Sequence, residues 1–182
     1  MHRAGGDRAG RRCTGGFRHP RHHRRAFYLL TPICSGNEMS DTNVRFVGNI
    51  PETYDRALGP LLFEYYAADL AARLEAPVDG HVLELACGTG ISTEAARAAL
   101  DDSIRIVATD LNPPMLELAE AKRGGLAGVE YRQADAQELA FADGEFDAVF
   151  YQFGVTFLPD KPKGFGEALR VLKLGGQLAF NV

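Results

Sequence analysis

The 182 residues are 46% hydrophobic and 24% charged, with a net charge of −4, which suits one ordinary domain with enough apolar surface for a core. No uninterrupted apolar run approaches the ~18 residues of a membrane-spanning helix, and the 20 glycines lack the three-residue period of collagen. Cys13, Cys34 and Cys87 are scattered and odd in number, which argues against a disulfide scaffold or a cysteine zinc site and makes a reducing, cytoplasmic compartment the expectation.

The charge is unevenly spread. Residues 1–38 hold eight arginines, no lysine and two acids, a charge of +6, so the remainder carries −10. This first segment is rich in Arg, Gly and His, has one short apolar run at 26–34, and shows no helix or strand period. It is expected to be a disordered extension, because it buries too little apolar surface to offset its ordering entropy. Three explanations stay open for it: an Arg-rich tail for nucleic acid, a targeting peptide whose apolar stretch is broken by Pro32, or an extension ahead of a true start at Met39. Nothing downstream is basic and aromatic, so nucleic acid is not an expected partner. His2, His19, His22 and His23 are not expected to build a metal site, since a disordered tract fixes no geometry.

After the extension, residues 39–80 and 81–182 divide into a helical lead and a core. Leu58, Leu61, Leu62, Tyr65, Tyr66, Leu70 and Leu74 recur with a helical period over residues 54–74. A strand is predicted at 81–86, then an alanine-rich helix at 91–100. The second strand is expected at 104–109. Asn112 and Pro113 then open a helix that buries Met115, Leu116, Leu118 and Ala119 and stops at Gly124-Gly125. Strands at 129–134 and 146–152 follow, then a helix at 161–174 closed by Gly175-Gly176, then a strand at 177–182. This alternation implies an α/β fold with a Rossmann-like, doubly wound parallel sheet, because parallel neighbours need crossover helices. Ligands of such sheets bind outside the carboxyl ends of the strands, here after Leu85, Thr109, Ala134 and Tyr151.

The first of these places carries Glu84-Leu85-Ala86-Cys87-Gly88-Thr89-Gly90. Gly88 and Gly90 would let a ligand approach the backbone, with the free N–H groups of the next helix behind them. A nicotinamide dinucleotide would call for a third glycine at position 93, where Thr93 stands. Glu84 at the mouth of the loop would repel a pyrophosphate and favour a cationic ligand.

The loop resembles motif I of the class I S-adenosylmethionine-dependent methyltransferases. Asp110 in Ala108-Thr109-Asp110-Leu111-Asn112 and the triplet Ala134-Asp135-Ala136 resemble two further motifs. Phe146-Asp147-Ala148-Val149, Tyr151-Gln152-Phe153-Gly154 and the segment Arg170 to Leu178 resemble the later signature, in the ubiquinone-biosynthesis-like branch. The resemblance implies S-adenosylmethionine as cofactor, no metal, and methyl transfer to a small, lipophilic, quinone-like acceptor. It implies cofactor contacts from Glu84, Gly88, Gly90, Thr93, Asp110 and Leu111, and from Asp135, Ala136 and Gln152. Asp110 would take the ribose hydroxyls, Asp135 and Ala136 the adenine, Gly90 would open the turn under the methionine moiety, and Gln152 would lie near the sulfonium. Thr93 serves equally well as helix filling. In-line transfer rests on alignment, so no general base is named, and Cys87 is read as packing rather than nucleophile. Phe46 and Tyr54 resemble a lid over the cofactor, and Phe153 and Phe157 are candidates for the acceptor wall.

Two features depart from the family. Gly164 and Gly166 would each weaken their helix by about 1 kcal/mol relative to alanine. The sequence also stops inside the fifth strand of a sheet that has seven in the family, ordered 3-2-1-4-5-7-6. The expectation is a C-terminally truncated core whose last strand, at Leu178-Ala179-Phe180, is an unprotected edge. A non-catalytic cofactor-binding module is the alternative function, and a nicotinamide-type oxidoreductase a more distant one.

Overall fold

The computed structural model describes residues 63–182 and the backbone of one strand, Arg25–Leu29. In chain order the elements are β1 (Arg25–Leu29), α1 (Glu64–Ala71), β2 (His81–Leu85), α2 (Ile91–Ala99), β3 (Arg105–Asp110) and α3 (Pro113–Arg123). They continue with β4 (Val129–Gln133), β5 (Phe146–Gln152), a 3-10 turn (Gly154–Phe157), α4 (Lys161–Val171) and β6 (Leu172–Asn181). All paired strands are parallel, in the order β1-β6-β5-β2-β3-β4. Without β1 this is the doubly wound arrangement expected from the sequence, with β2 at its centre.

Residues alternate between the two faces of each strand, and each face has its own core. Val82, Ile106, Ala148, Phe150 and Ala179 pack with Leu70 and Leu74 at α1 and Ala96 of α2, while Cys87 and Ala108 meet Leu116 of α3. On the other face Leu83, Leu85, Val149, Tyr151, Leu178 and Phe180 pack with Ala168 and Val171 of α4. Burial on both sides is why β2 and β5 read as nearly unbroken apolar runs. In α1 the buried residues are Ala67, Leu70 and Ala71. Tyr65, placed on the buried face by period alone, is 74% exposed. Tyr54, Leu58, Leu61, Leu62 and Phe46 lie outside the described residues.

Three boundaries differ informatively from the sequence reading. β3 runs one residue further, so Asp110 is the last residue of the strand rather than the first of the loop. α4 ends at Val171 and passes directly into β6, which begins at Leu172. Gly175-Gly176 therefore do not close the helix. They sit in an irregularity of the β5–β6 pairing, where Phe146 faces Leu172 but Ala148 faces Gln177. Gly175 has φ +85°, and a Cβ on Gly176 would stand 2.7 Å from the Asp147 carbonyl oxygen, so a bulge of this shape requires glycine.

The third difference concerns the edge. Arg25–Leu29 lies parallel to β6, with Arg25 opposite Gln177 and Leu29 opposite Asn181. Within the extension these five residues form a strand, and the edge of β6 expected to be unprotected is covered. The physical reason is mutual: an open strand edge offers unpaired N–H and C=O groups, and four of the five residues, from Ala26 to Leu29, fall in the extension's one apolar run, with Phe27 and Tyr28 favouring a strand.

Of the two glycines in α4, Gly164 is buried and a Cβ there would lie 2.6 Å from Leu158 Cδ1, whereas Gly166 faces open space. Gly166→Ala is expected to stabilise the domain by about 0.5–1 kcal/mol, read as a higher denaturant midpoint. Gly164→Ala gains less, because Leu158 must move.

Candidate active site

The carboxyl ends of β2, β3, β4 and β5 form one rim of the sheet. β2 ends abruptly at Leu85, and Ala86 after it takes the left-handed conformation at φ 57°, costly for a residue with a Cβ. The chain then folds into a tight loop: the Cys87 N–H donates to the Thr109 carbonyl at 2.9 Å and the Gly90 N–H to the Cys87 carbonyl at 3.0 Å. Gly88 and Gly90 both have positive φ, at +57° and +85°, for different surroundings. A Cβ on Gly88 would meet nothing within 4 Å, so the loop is open on that side. A Cβ on Gly90 would stand 3.1 Å from both Arg123 Cδ and Tyr131 Oη.

Asp110 joins this loop to β3. Its Oδ2 accepts from the Gly88 N–H at 2.8 Å and its Oδ1 from the Asn112 N–H at 2.8 Å. Burial pushes the carboxyl pKa up, while the N–H groups of Asn112 and Gly88 pull it down, and burial wins. Asn112 stands at the N-cap of α3 without capping it through its side chain, which leans on Asp110 instead.

The structure places Glu84 beneath the loop rather than at its mouth. Its side chain is fully buried beneath the loop, with Oε1 accepting from Ser92 Oγ and Oε2 from Thr93 Oγ1, the latter at 2.6 Å. It ties the first turn of α2 to the centre of the sheet and does not line the rim. Thr93, also fully buried, serves that tie. The reason lies in the alternation of β2: Glu84 shares a face with Val82, toward α2. Desolvation pushes the Glu84 carboxyl up to about 7, against the pull of the two hydroxyls. Cys87 is buried, and its thiol is held well above the ordinary range by burial and by the carboxylates of Glu84 and Asp110. A thiol so protonated is packing, not a nucleophile.

The remaining candidates lie along the same rim. Leu111, 47% exposed, follows Asp110, and its carbonyl accepts from Gln133 Nε2 at 3.1 Å. Asp135 follows β4 and takes the Gln137 N–H at 2.8 Å. Ala136 is buried with its methyl in the core. Gln152 ends β5 and donates through Nε2 to the Phe63 carbonyl at 2.8 Å, while its buried Oε1 has no partner among the described residues. Beyond it Phe153, left-handed at φ 56°, meets Phe63 and Tyr66 edge to face at centroid distances of 5.7 and 5.4 Å. Phe157 is half exposed.

The turn after β5 rests on the loop after β2. A Cβ on Gly154 would stand 2.5 Å from the Cβ of Ala86, a clash with an atom that has no rotamer to retreat into. Gly154→Ala is expected to cost about 1–3 kcal/mol of stability, measured by denaturant unfolding.

Sequence reasoning missed Ser92, Arg123 and Phe63. Ser92 was signalled by its place in the first turn after a glycine loop with a buried acid behind it. Arg123 is 33 positions from Gly90, and nothing local marks it. A hollow of about 620 Å³ also opens at the opposite, amino end of the strands, between Leu74, Pro77, Leu100 and Gly175. The rim, not this hollow, gathers the backbone donors and Asp110.

Comparison with known proteins gives the family and the fold. Residues 83–180, more than half of the chain, match the family model described as a methyltransferase domain. The chain belongs to this methyltransferase family. A demethylmenaquinone methyltransferase from Clavibacter sepedonicus is 42% identical over 107 residues, 58% of this chain and 42% of that protein. The ubiquinone/menaquinone biosynthesis C-methyltransferase UbiE of Enterobacter sp. (strain 638) is 40% identical over 100 residues, 53% and 40% of the two chains. This methyltransferase chain thus spans about two-fifths of the length of these curated relatives. Among solved structures, a protein from Methanococcus maripaludis described as S-adenosyl-L-methionine-dependent superposes with TM-score 0.64 at 22% identity, covering 79% of this chain and 68% of its own. One from Aquifex aeolicus gives 0.58 at 22%, covering 68% and 65%. These two share the class I fold, in which β6-β5-β2-β3-β4 are the first five strands of the family sheet. The methyl donor of the family is S-adenosyl-L-methionine.

Proposed function

We propose that this methyltransferase holds S-adenosylmethionine along the rim formed by β2, β3, β4 and β5, and transfers its methyl group to a small, lipophilic, quinone-like acceptor. The single observation that carries the reading is the pairing of Asp110 with the open side of Gly88. A buried carboxylate holds the Gly88 N–H, and a Cβ on Gly88 would meet no described atom within 4 Å. The lone buried acceptor of Gln152 at the same rim adds to the fit.

When bound, the donor supplies an electrophilic methyl carbon, and the electrons of the broken C–S bond go to sulfur, leaving S-adenosylhomocysteine. The chain's own part is alignment, which is worth about 7–11 kcal/mol of barrier in favourable cases. Gly88 and Gly90 shape the loop for the amino-acid portion, Asp110 accepts from ribose hydroxyls, and Leu111 covers one face of the base. Asp135 and the Ala136 N–H mark the base edge, and Gln152 lies on the transfer side. Glu84 and Thr93 support the loop from beneath. The edge-to-face aromatic cluster of Phe63, Tyr66 and Phe153, with exposed Phe157, offers an apolar wall. Together with the two partial relatives, that wall supports an aromatic, lipophilic acceptor. A cytoplasmic location belongs to the same reading, supported by the scattered cysteine spacing.

Calorimetric titration with S-adenosylhomocysteine, followed by tritiated-methyl transfer to a prenylated naphthoquinol, tests the reading. Micromolar binding with incorporation supports it. Binding without transfer to any quinol would favour a cofactor-binding module, and tight NADH binding alone would overturn it.

A further inference from the structure

The glycine loop is gripped from outside by a residue of α3. Arg123, in the last turn of that helix, donates through Nη1 to the Thr89 carbonyl at 2.8 Å and through Nε to Glu94 Oε2 at 2.8 Å. Its Cδ lies against Gly90, 3.1 Å from where a Cβ would be, and its side chain is only 13% exposed. Thr89 is the residue between the two loop glycines, and Glu94 belongs to the first turn of α2. One guanidinium therefore ties three successive features, the loop crest, its second glycine and the helix behind it, to a different helix. The planar fork of arginine makes both bonds from two nitrogens in fixed geometry, whereas a lysine would have to serve both acceptors from one. The ion pair with Glu94, which is 58% exposed, is the weaker of the two contacts by its solvation. The bond to the Thr89 carbonyl fixes the peptide whose N–H, that of Gly90, closes the loop on the Cys87 carbonyl.

We propose that Arg123 is a positioning residue for the methyl donor, presetting the Thr89–Gly90 peptide so that the loop is already shaped for the donor's amino-acid portion. This rests on the reading of the rim as the donor site. It follows that Arg123 acts on ligands that have that portion and is indifferent to those that lack it.

Two probes separate the cases: S-adenosylhomocysteine, and 5′-methylthioadenosine, which keeps the base, ribose and sulfur but has no amino-acid portion. Arg123→Gln is expected to weaken S-adenosylhomocysteine about 10- to 30-fold, as loss of a charge-assisted bond does, with methylthioadenosine changed less than about twofold. Arg123→Lys should fall between, and Glu94→Gln, which leaves the Thr89 bond, should lose less than about threefold. Equal losses for both probes would mean general loosening and overturn the proposal, as would unchanged affinity for both. A Glu94→Gln loss as large as that of Arg123→Gln would also overturn it, by moving the effect to the ion pair. If Arg123→Gln does not fold, Arg123→Lys is read by the same ratio. Wild-type chain that binds neither probe would instead remove the donor-site reading itself, and the proposal with it.

Discussion

Asp110→Asn is expected to reduce S-adenosylhomocysteine binding by about 30- to 100-fold or more, measured by calorimetry, while the domain remains folded. The substitution keeps the size of the side chain and one carbonyl oxygen but removes the charge and replaces an acceptor with a donor. Oδ2, which takes the Gly88 N–H at 2.8 Å, is the oxygen through which β3 addresses the loop, and an amide placed there presents hydrogen to hydrogen. Hydrogen bonds to a charged group contribute about 1.5–3 kcal/mol each, so the loss of one or two with ribose hydroxyls accounts for the expected range. Asp110→Ala should be worse on both counts, because the Gly88 and Asn112 N–H groups would lose their partner as well as the ligand. Full affinity in Asp110→Asn would exclude this carboxylate from the donor site.

The second large effect is a pH dependence of stability centred on Glu84. Its carboxyl is pushed from 4.5 up to about 7 by burial, so the folded state holds its proton over a range where the unfolded chain has released it. Stability therefore falls as pH rises from about 4.5 to about 7, and levels off above that. A shift of this size corresponds to about 3 kcal/mol. Asp110, also raised, acts in the same direction. Asp101, Asp147 and Glu167 are lowered by their hydrogen-bond partners and nearby cations, so they contribute above their ordinary values and lose that contribution at more acid pH, outside the Glu84 window. Glu84→Gln keeps the shape and can still bond Ser92 and Thr93, whose hydroxyls rotate to donate or accept. Chemical denaturation at pH 5 and pH 8 should show wild-type stability lower at pH 8 and most of the difference gone in Glu84→Gln. An equal slope in both proteins would assign the dependence elsewhere.

The two acids also show where sequence is informative. Asp110 stands at the end of an apolar strand, where a charged residue has few places to go but the rim, and the alternation of strands and helices located that rim. Glu84 lies inside a strand covered on both faces, so apolar pattern alone does not reveal which helix it points to. That depended on Ser92 and Thr93 arriving from the next turn. Arg123 was beyond reach for a similar reason: an arginine in a last helical turn has an ordinary explanation in the helix dipole, and its contact with Thr89 exists only after α3 is packed. Gly175-Gly176 read as a helix stop because paired glycines usually are one, whereas the requirement comes from Asp147 on the neighbouring strand. The covering of β6 by Arg25–Leu29 pairs residues about 150 positions apart in the chain, and no local pattern signals which edge the strand joins.

Ala86 and Phe153, both left-handed, flank the place where the β2 loop and the β5 turn touch. Residues held this way cost of order 1–3 kcal/mol each, so the domain is less robust than its core alone would make it. An engineer seeking a hardier version would find gains by placing glycine at Ala86, whereas at Phe153 they are offset by losing the ring that meets Phe63 and Tyr66. Those gains would come from relaxing the very backbone that gives the rim its shape, so thermal tolerance and activity are expected to trade against each other here more sharply than anywhere on the helical surface.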